Sequence, residues 1–452
     1  MTFDTIRADA QGAVASSREA ERHLASASPG RKLRVVILDE ELPYPLTSGK
    51  RLRAFNLLVR LATRHEITYI GHQNAEPLEA VRAAEALQDH GIRGIAVPRA
   101  VPRKAGLAFY GRLAANLFSP LPYSVASHRS RAMHRVVEAH AQTHEVDLWQ
   151  AEWTPYTEVL PSVMHGRRLV VAHNVESVIW QRYFETEKNA CKRWYIRHQW
   201  RKFRSFEKSA FGRVDRVVAV TSKDARRIAD EFGCAHVSVV DNGVDLDYFR
   251  DTRGKADPHQ ILFLGSLDWR PNQDAIQLLL RHILPELRVR EPRAHLAVVG
   301  RNPPSWLRQQ LMHHTHVVLH ENVPDVRPFL GTSAVMAVPL RIGGGSRLKI
   351  LEALAAGLPV VSTSVGAEGL TLVPGRHLDI VESPASMASA LVAVLHDLPR
   401  ARQMAEHGRV EVLNQYDWNR LAAKLEQVWF DCLSSSHENL SSIAAPSRVA
   451  HA

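Results

Sequence analysis

Residues 343–361 read GGGSRLKILEALAAGLPVV, which sets three glycines and two cations at the mouth of a helix and a carboxylate further along it. Backbone N–H groups of Gly343, Gly344 and Gly345, together with the positive end of the helix, form a cradle for an anion. Ser346 supplies a capping hydroxyl, Gly357 and Pro359 end the helix, and Val360 and Val361 begin a buried strand. Arg347 and Lys349 stand in the first turn, where a cation works against the helix dipole and needs another reason to be present; a bound diphosphate is one. Glu352 lies about 9 Å beyond Ser346 along an ideal helix, a span that suits a ribose hydroxyl pair next to that diphosphate. The same residues also read as a glycine-rich connection with surface cations and an ion-paired carboxylate, and this stretch alone leaves both readings open.

A loop of this kind needs strands and helices to hold it over a cleft, and the rest of the chain is patterned to supply them. At 452 residues the chain exceeds what one hydrophobic core serves, and 45% apolar with 23% charged residues is an ordinary globular composition. Apolar runs alternate with helical patterns, the signature of parallel sheets. The first half predicts strands over 33–38, 66–71, 147–150, 168–172 and 215–220, and the pattern restarts with strands over 260–265, 295–300, 316–320, 334–339, 360–363 and 378–381. The expected fold is α/β, two doubly wound domains facing a central cleft. The boundaries are a flexible tail over 1–31, a first domain over 32–240, a polar turn-rich hinge over 241–259, a second domain over 260–416, a helix over 417–433 returning to the first domain, and a flexible tail over 434–452.

Charge and special residues exclude several classes. The three cysteines, Cys191, Cys234 and Cys432, fit neither a disulfide framework nor a zinc spacing. No run is long and apolar enough for a membrane span, and residues 1–30 have no signal-peptide core, so a cytoplasmic protein is expected. A formal charge of +10 admits nucleic acid, an anionic membrane or an anionic small substrate. The cations are scattered and no nucleic-acid motif is present, which argues against nucleic acid. The densest basic run, Lys188–Lys208, reads as a helix with Trp194, Trp200 and Phe203 packed and its cations in water. Over 101–133, Arg103, Lys104 and Arg112 beside Phe109, Tyr110, Leu113, Leu117 and Phe118 suit contact with an anionic membrane surface. The acidic pair in DLD (245–247) reads as a turn rather than a metal site, and no metal site is expected.

Several further runs carry a resemblance. GSLDWRPNQDAI (265–276), VVGRNPP (298–304), VPDVRPFL (323–330) and PLRIGGGSRLKILEALAAGLPVVSTSVGAEGL (339–370) lie in the second half, and PYPLTSGKRLRAFNLL (43–58), AHNVES (172–177), AVTSKDA (219–225) and DNGVDLDYF (241–249) in the first. Over roughly residues 32–433 the chain resembles the retaining, GT-B-fold glycosyltransferases of family 4, in their glycine-rich subgroup. The resemblance implies transfer of a sugar from a nucleotide-sugar donor to an acceptor hydroxyl with retention of configuration, with no cofactor and no essential metal. It further implies a donor held mainly by the second domain, a saccharide or lipid-linked acceptor, and a place in bacterial polysaccharide or glycolipid assembly, peripheral to the inner face of the cell membrane. Two departures stand out. Of the family's usual pair of glutamates only Glu352 is present, Gly344 occupying the upstream position, and the usual diphosphate-gripping cations after the first strand of the second domain are replaced by Ser266 and the segment Trp269 to Asn272.

Carried onto this chain, the resemblance makes His173 the catalytic residue, at the cleft end of the strand over 169–172, with Glu176 orienting it or meeting acceptor. Gly343, Gly344, Gly345, Ser346, Arg347 and Lys349 hold the donor diphosphate and Glu352 its ribose. Arg301, Asn302, Val323 and Pro324 hold its base, and Ser266, Trp269 and Asn272 line the cleft. Gly49 lets the backbone approach the acceptor, while Lys50, Arg51 and Arg53 meet a phosphate or carboxylate on it, or else are solvated surface cations. A catalytically inactive nucleotide-sugar binder of the same fold is the alternative, suggested by the missing glutamate. A phosphorylase would need a pyridoxal lysine that the sequence does not identify.

Overall fold

The computed structural model describes residues 31–73, 76–99, 106–160, 165–249, 252, 254, 256–342 and 347–434. Of the predicted tails all but Arg31 and Ser434, together with Arg103, Lys104 and the run Gly343, Gly344, Gly345 and Ser346, lies outside the described residues.

Seven parallel strands form the first sheet: β1 (Arg34–Asp39), β2 (Glu66–His72), β3 (Ile92–Val97), β4 (Leu148–Ala151), β5 (Arg167–Ala172), β6 (Arg216–Ala219) and β7 (Val237–Val239), in the order β3-β2-β1-β4-β5-β6-β7. Its central strands are covered by helices on both faces, which is why Val35–Leu38 and Leu169–Ala172 read as unbroken apolar runs with every residue buried. The two edge strands, β3 and β7, are absent from the sequence reading. In β3 the sequence IRGIAV buries only its two ends, and in β7 all three residues are half-buried, so neither carries a continuous apolar run.

The second sheet holds β8 (Gln260–Leu264), β9 (His295–Gly300), β10 (Val317–Glu321), β11 (Val335–Val338), β12 (Val360–Ser362) and β13 (Asp379–Ile380), all parallel, in the order β10-β9-β8-β11-β12-β13. Each sheet therefore reverses its strand order once, between β1 and β4 and between β8 and β11. Beyond the carboxyl ends of strands at such a point lies the crevice where open α/β sheets bind ligands.

The chain crosses between the two units twice, and the crossings lie side by side. Val244 donates its N–H to the Tyr416 carbonyl at 2.9 Å, and a side chain at Gly243 would come within 2.7 Å of the Trp418 ring. The helix Trp418–Ser434 then packs on the helix Gly49–Leu61, burying Leu421, Leu425, Trp429 and Cys432 in one core with Leu33, Ile37, Leu57 and Leu58. Ion pairs also join the units: Glu368 meets Arg182 at 2.9 Å and Lys223 at 2.6 Å, and Arg270 meets Glu187 at 3.1 Å.

Candidate active site

Three strands of the first sheet end at its crevice and deliver chemistry there. Asp39 ends β1 and is followed by Glu40 and Glu41; after β4 come Glu152 and Trp153; after β5, His173. The parallel register pairs Leu38 with Ala151 and Ala151 with Val170, so Asp39, Glu152 and His173 emerge near one another. His173 is buried, and its Nε2 lies 3.2 Å from the Glu152 carboxylate. Burial lowers the His173 pKa while Glu152 opposes that shift. Burial alone would raise the Glu152 pKa, but the hydrogen bond and charge of His173 and the charge of Arg53 bring it below the usual carboxylate range.

Glu176, expected to orient His173 or meet acceptor, makes no hydrogen bond to His173 among the described residues. It opens the helix Glu176–Thr186 and accepts the Trp153 indole N–H at 3.1 Å, and burial raises its pKa. The free N–H groups at the start of this helix go to Glu207, which accepts from Glu176 N at 2.6 Å and Ser177 N at 3.2 Å. Burial pushes the Glu207 pKa up to about 8. The segment from His173 to Ser177 is thus held from β4 at one end and from the helix Ala190–Gly212 at the other.

The proposed acceptor cations are held by carboxylates. Gly49 is the first residue of its helix, behind the capping Ser48, whose hydroxyl accepts from Arg51 N at 3.2 Å. Lys50 pairs with Asp39 at 2.8 Å and Glu40 at 2.5 Å, and Asp39 also accepts from the Tyr69 hydroxyl at 2.7 Å. Burial pushes Asp39 up to about 6 against the pull of Lys50, whereas Lys50 and His128 overcome burial to hold Glu40 well below the ordinary range. Arg51 is paired with Glu41 and, at 2.5 Å, with Glu79. Arg53 corrects the sequence reading. It is wholly buried and donates to the Val240 carbonyl at 2.8 Å, because the spacing of Arg53, Leu57 and Leu61 puts it on the core face of its helix.

In the second unit the helix over Leu348–Ala355 begins one residue later than expected, with Arg347 at the cap position and no side-chain cap; Gly357 ends it in the left-handed conformation at φ 74°. Lys349 reaches back across the sheet to Asn272 Oδ1 at 2.9 Å and sits 5.0 Å from the Phe263 ring centre. Asn272 in turn donates to the Ser266 carbonyl at 2.8 Å, and Trp269 caps the same helix. Lys349, Asn272, Ser266 and Trp269 are thereby brought together. Arg347 is buried and faces Glu368 at 3.4 Å, so the loop's first cation is tied to the bridge between the units. Burial lowers Arg347 to about 10 and pushes Lys349 down to about 7. The carboxylate of Glu352, which is half-buried, has no hydrogen-bond partner among the described residues, and burial pushes its pKa up to about 7. After β9, Arg301 is lowered by burial and feels the charges of Arg51, Glu41 and Glu79 in the first unit. Asn302 and Asn322 take left-handed backbone conformations at φ 54° and 55° and are joined at 3.1 Å, with Val323 packed on the second core and Pro324 exposed beside it.

Among the described residues the crevice therefore collects cations, amides, carboxylates and, in Lys349 and Glu352, two groups whose pKa burial brings to about 7. That is an inventory for binding an anion and a sugar, and comparison with known proteins agrees with it. Residues 48–248 match Glycosyltransferase Family 4 and residues 258–397 match Glycosyl transferases group 1, so the two matches cover most of the chain. The chain belongs to glycosyltransferase family 4. It is a retaining hexosyltransferase that takes its sugar from a nucleotide sugar. Among curated relatives, the glycogen synthase of Mycobacterium tuberculosis is 25% identical over 292 residues, 60% of this chain and 68% of that protein. The GDP-mannose-dependent alpha-(1-6)-phosphatidylinositol monomannoside mannosyltransferase of the same organism is 30% identical over 243 residues, 47% of this chain and 60% of that one. In fold, sucrose-phosphate synthase from Thermosynechococcus elongatus superposes with a TM-score of 0.66 at 17% identity, covering 89% of this chain and all of the other. The two parallel sheets of this family 4 chain are the GT-B architecture.

Glu152, Glu207, Glu368 and Asp39 are site residues that the sequence reading passed over. Glu152 carried the signal that singled out His173, a polar residue directly after an apolar parallel strand. Glu207 and Glu368 carried none, since each acts on residues far away in the chain.

Proposed function

We propose that the first unit, residues 32–240, takes the acceptor and the second, residues 260–416, the donor, with 241–259 as the hinge and the Trp418–Ser434 helix closing back on the first unit. The observation that carries this reading is the Lys349, Asn272 and Ser266 cluster beside an unpartnered Glu352. A lysine whose pKa burial has brought down to about 7 is a cation awaiting an anion, and a diphosphate supplies one. Glu352 takes the ribose, and the main-chain N–H groups of Gly343, Gly344, Gly345 and Ser346 complete the diphosphate cradle, as in the glycine-rich subgroup. Arg301, Asn302, Val323 and Pro324 take the base.

Leaving-group departure places negative charge on the diphosphate, which Lys349 and Arg347 stabilise, while the reacting carbon gains positive character. His173 holds a donor-sugar hydroxyl so that the acceptor hydroxyl meets the same face that the diphosphate leaves. The acceptor is a saccharide or a lipid-linked sugar of envelope polysaccharide or glycolipid assembly; a relative named for phosphatidylinositol monomannoside supports the lipid case. Nucleotide sugars screened by thermal unfolding test the reading: the true donor near saturation stabilises by a few kcal/mol. Equal, small shifts with every nucleotide sugar and with none preferred contradict it.

A membrane-facing surface is a second element of the proposal. No helix among the described residues is long and apolar enough to cross a membrane. On the helix Leu107–Asn116 and just beyond it, however, Leu107, Tyr110 and Phe118 are 91%, 66% and 93% exposed. With Ala114 they fall at helical spacing on one uncharged outward face. Phe109, Leu113, Leu117 and Arg112, which the sequence reading set against lipid, turn inward and are half-buried. The neighbouring helix Ala190–Gly212 joins this surface through Gln199 and Lys202, which bond Asn116, and exposes Lys192, Arg193, Arg197, Arg201, Arg204 and Lys208. Two departures from its sequence reading are Trp194, exposed rather than packed, and Lys202, buried rather than solvated. An apolar stripe beside a cationic row suits an anionic bilayer. Sedimentation with vesicles containing anionic lipid should show binding that fades with salt and is lost in Leu107→Ser/Phe118→Ser; binding indifferent to lipid charge removes this element.

A further inference from the structure

A buried polar chain runs from the returning helix through Gln150 and Glu152 to His173. The Trp429 indole N–H donates to Gln150 Oε1 at 2.7 Å, Gln150 Nε2 donates to Glu152 Oε1 at 2.5 Å, and Glu152 Oε2 lies 3.2 Å from His173 Nε2. All four side chains are buried, and Gln150 and Trp429 are completely so.

The chain has a direction. An indole nitrogen only donates, so Gln150 must present its oxygen to Trp429 and its NH2 to Glu152. An ionised carboxylate only accepts, so the remaining bond requires a proton on His173 Nε2. In the neutral ring the other nitrogen, Nδ1, then carries a lone pair, and among the described residues it has no hydrogen-bond partner.

We propose that Glu152 is a positioning residue for sugar transfer: oriented by Gln150 and Trp429, it accepts the Nε2–H of His173 and thereby presents Nδ1 to the cleft as an acceptor for a hydroxyl of the donor sugar. The proposal rests on the reading of His173 as the sugar-facing residue. It also gives the returning helix a task beyond packing, since Trp429 sets the direction of the whole chain. The charged groups that face His173 are Glu152 from β4 and Arg53 and Lys50 from the helix Gly49–Leu61. Glu152 favours the protonated ring, and the two cations disfavour it.

The test is Glu152→Gln in the full-length protein, with 15N-labelled histidine and the His173 signals assigned by their absence in His173→Ala. In the wild type, long-range 1H–15N correlation should find the Nε2–H tautomer. In Glu152→Gln, Gln150 still donates, so the new amide must offer its own NH2 to His173 and the ring proton should move to Nδ1. Turnover should fall by about 10²–10³, as for one misdirected transition-state contact, with nucleoside diphosphate affinity little changed. The acid limb of the rate profile should move to lower pH, because the carboxylate that favoured the protonated ring is gone. Glu152→Asp, which keeps the charge, should keep the Nε2–H tautomer and recover part of the rate. A wild-type ring found as Nδ1–H overturns the proposal whether or not the variant folds, as does an unchanged tautomer in a folded Glu152→Gln. Full turnover in His173→Ala would instead overturn the sugar-facing role of His173, leaving the tautomer result to judge the polar chain by itself.

Discussion

Replacing Lys349 by methionine should make the protein without nucleotide more stable while destroying much of its affinity for a nucleoside diphosphate. Burial takes the Lys349 pKa from 10.5 to about 7. Because the folded value is the lower one, the unfolded chain holds the extra proton between those two pH values. Stability therefore rises with pH across that window, and the penalty is fully present below about pH 7. At 1.36 kcal/mol per pH unit the full penalty is about 4–5 kcal/mol, and solvent reaching a half-buried amine reduces it to about 2–3 kcal/mol. Methionine keeps the apolar contacts of the stem but gives up the 2.9 Å bond to Asn272, worth about 1 kcal/mol. The net gain at pH 6.5 should be about 1–2 kcal/mol, shrinking or reversing at pH 9.5. Urea unfolding at the two pH values measures it, and calorimetry on the same samples should show diphosphate binding weakened at least tenfold, about 1.4 kcal/mol or more. A variant less stable at both pH values and binding diphosphate normally would show that Lys349 is a structural cation, and the reasoning from burial to function would fail.

Glu352→Gln should weaken donor binding by about 1–2 kcal/mol and leave the fold intact, and a donor lacking the contacted ribose hydroxyl should lose little more in the variant; full additivity in that cycle, measured by calorimetry, places Glu352 away from the ribose. Trp429→Phe strips Gln150 of its indole partner at complete burial and should cost about 1–3 kcal/mol in urea unfolding, where a loss under half a kcal/mol means that water replaces the indole.

Much of this was legible in the sequence because parallel strands covered on both faces leave continuous apolar runs, and polar residues just after them mark the cleft. His173 after β5 was found that way, and Glu152 after β4 could have been; Ser266 after β8 came from the family resemblance. Gly357 was readable because a helix end needing a left-handed residue favours glycine. The meeting of Lys349 with Asn272, 77 positions apart, was foreseen neither from pattern nor from the family resemblance. What remained hidden depends on facing and on distance. Arg53 looked like an acceptor-binding or surface cation until its helix face was known, and Phe118 looked like a partner of Phe109 and Leu113 until the structure showed it turned the other way. The pairing of Glu368 with Arg182 spans 186 positions and both units, and no local spacing encodes it.

In the proposed reading, sugar transfer happens in the crevice between the units with His173 as a non-covalent partner of the donor sugar. His173→Ala, assayed for turnover with the donor found by thermal unfolding and for nucleoside diphosphate affinity by calorimetry, tests it most directly. Turnover should fall by about 10²–10³ with affinity nearly unchanged. Undiminished turnover, or a loss confined to diphosphate affinity, would remove His173 from that role.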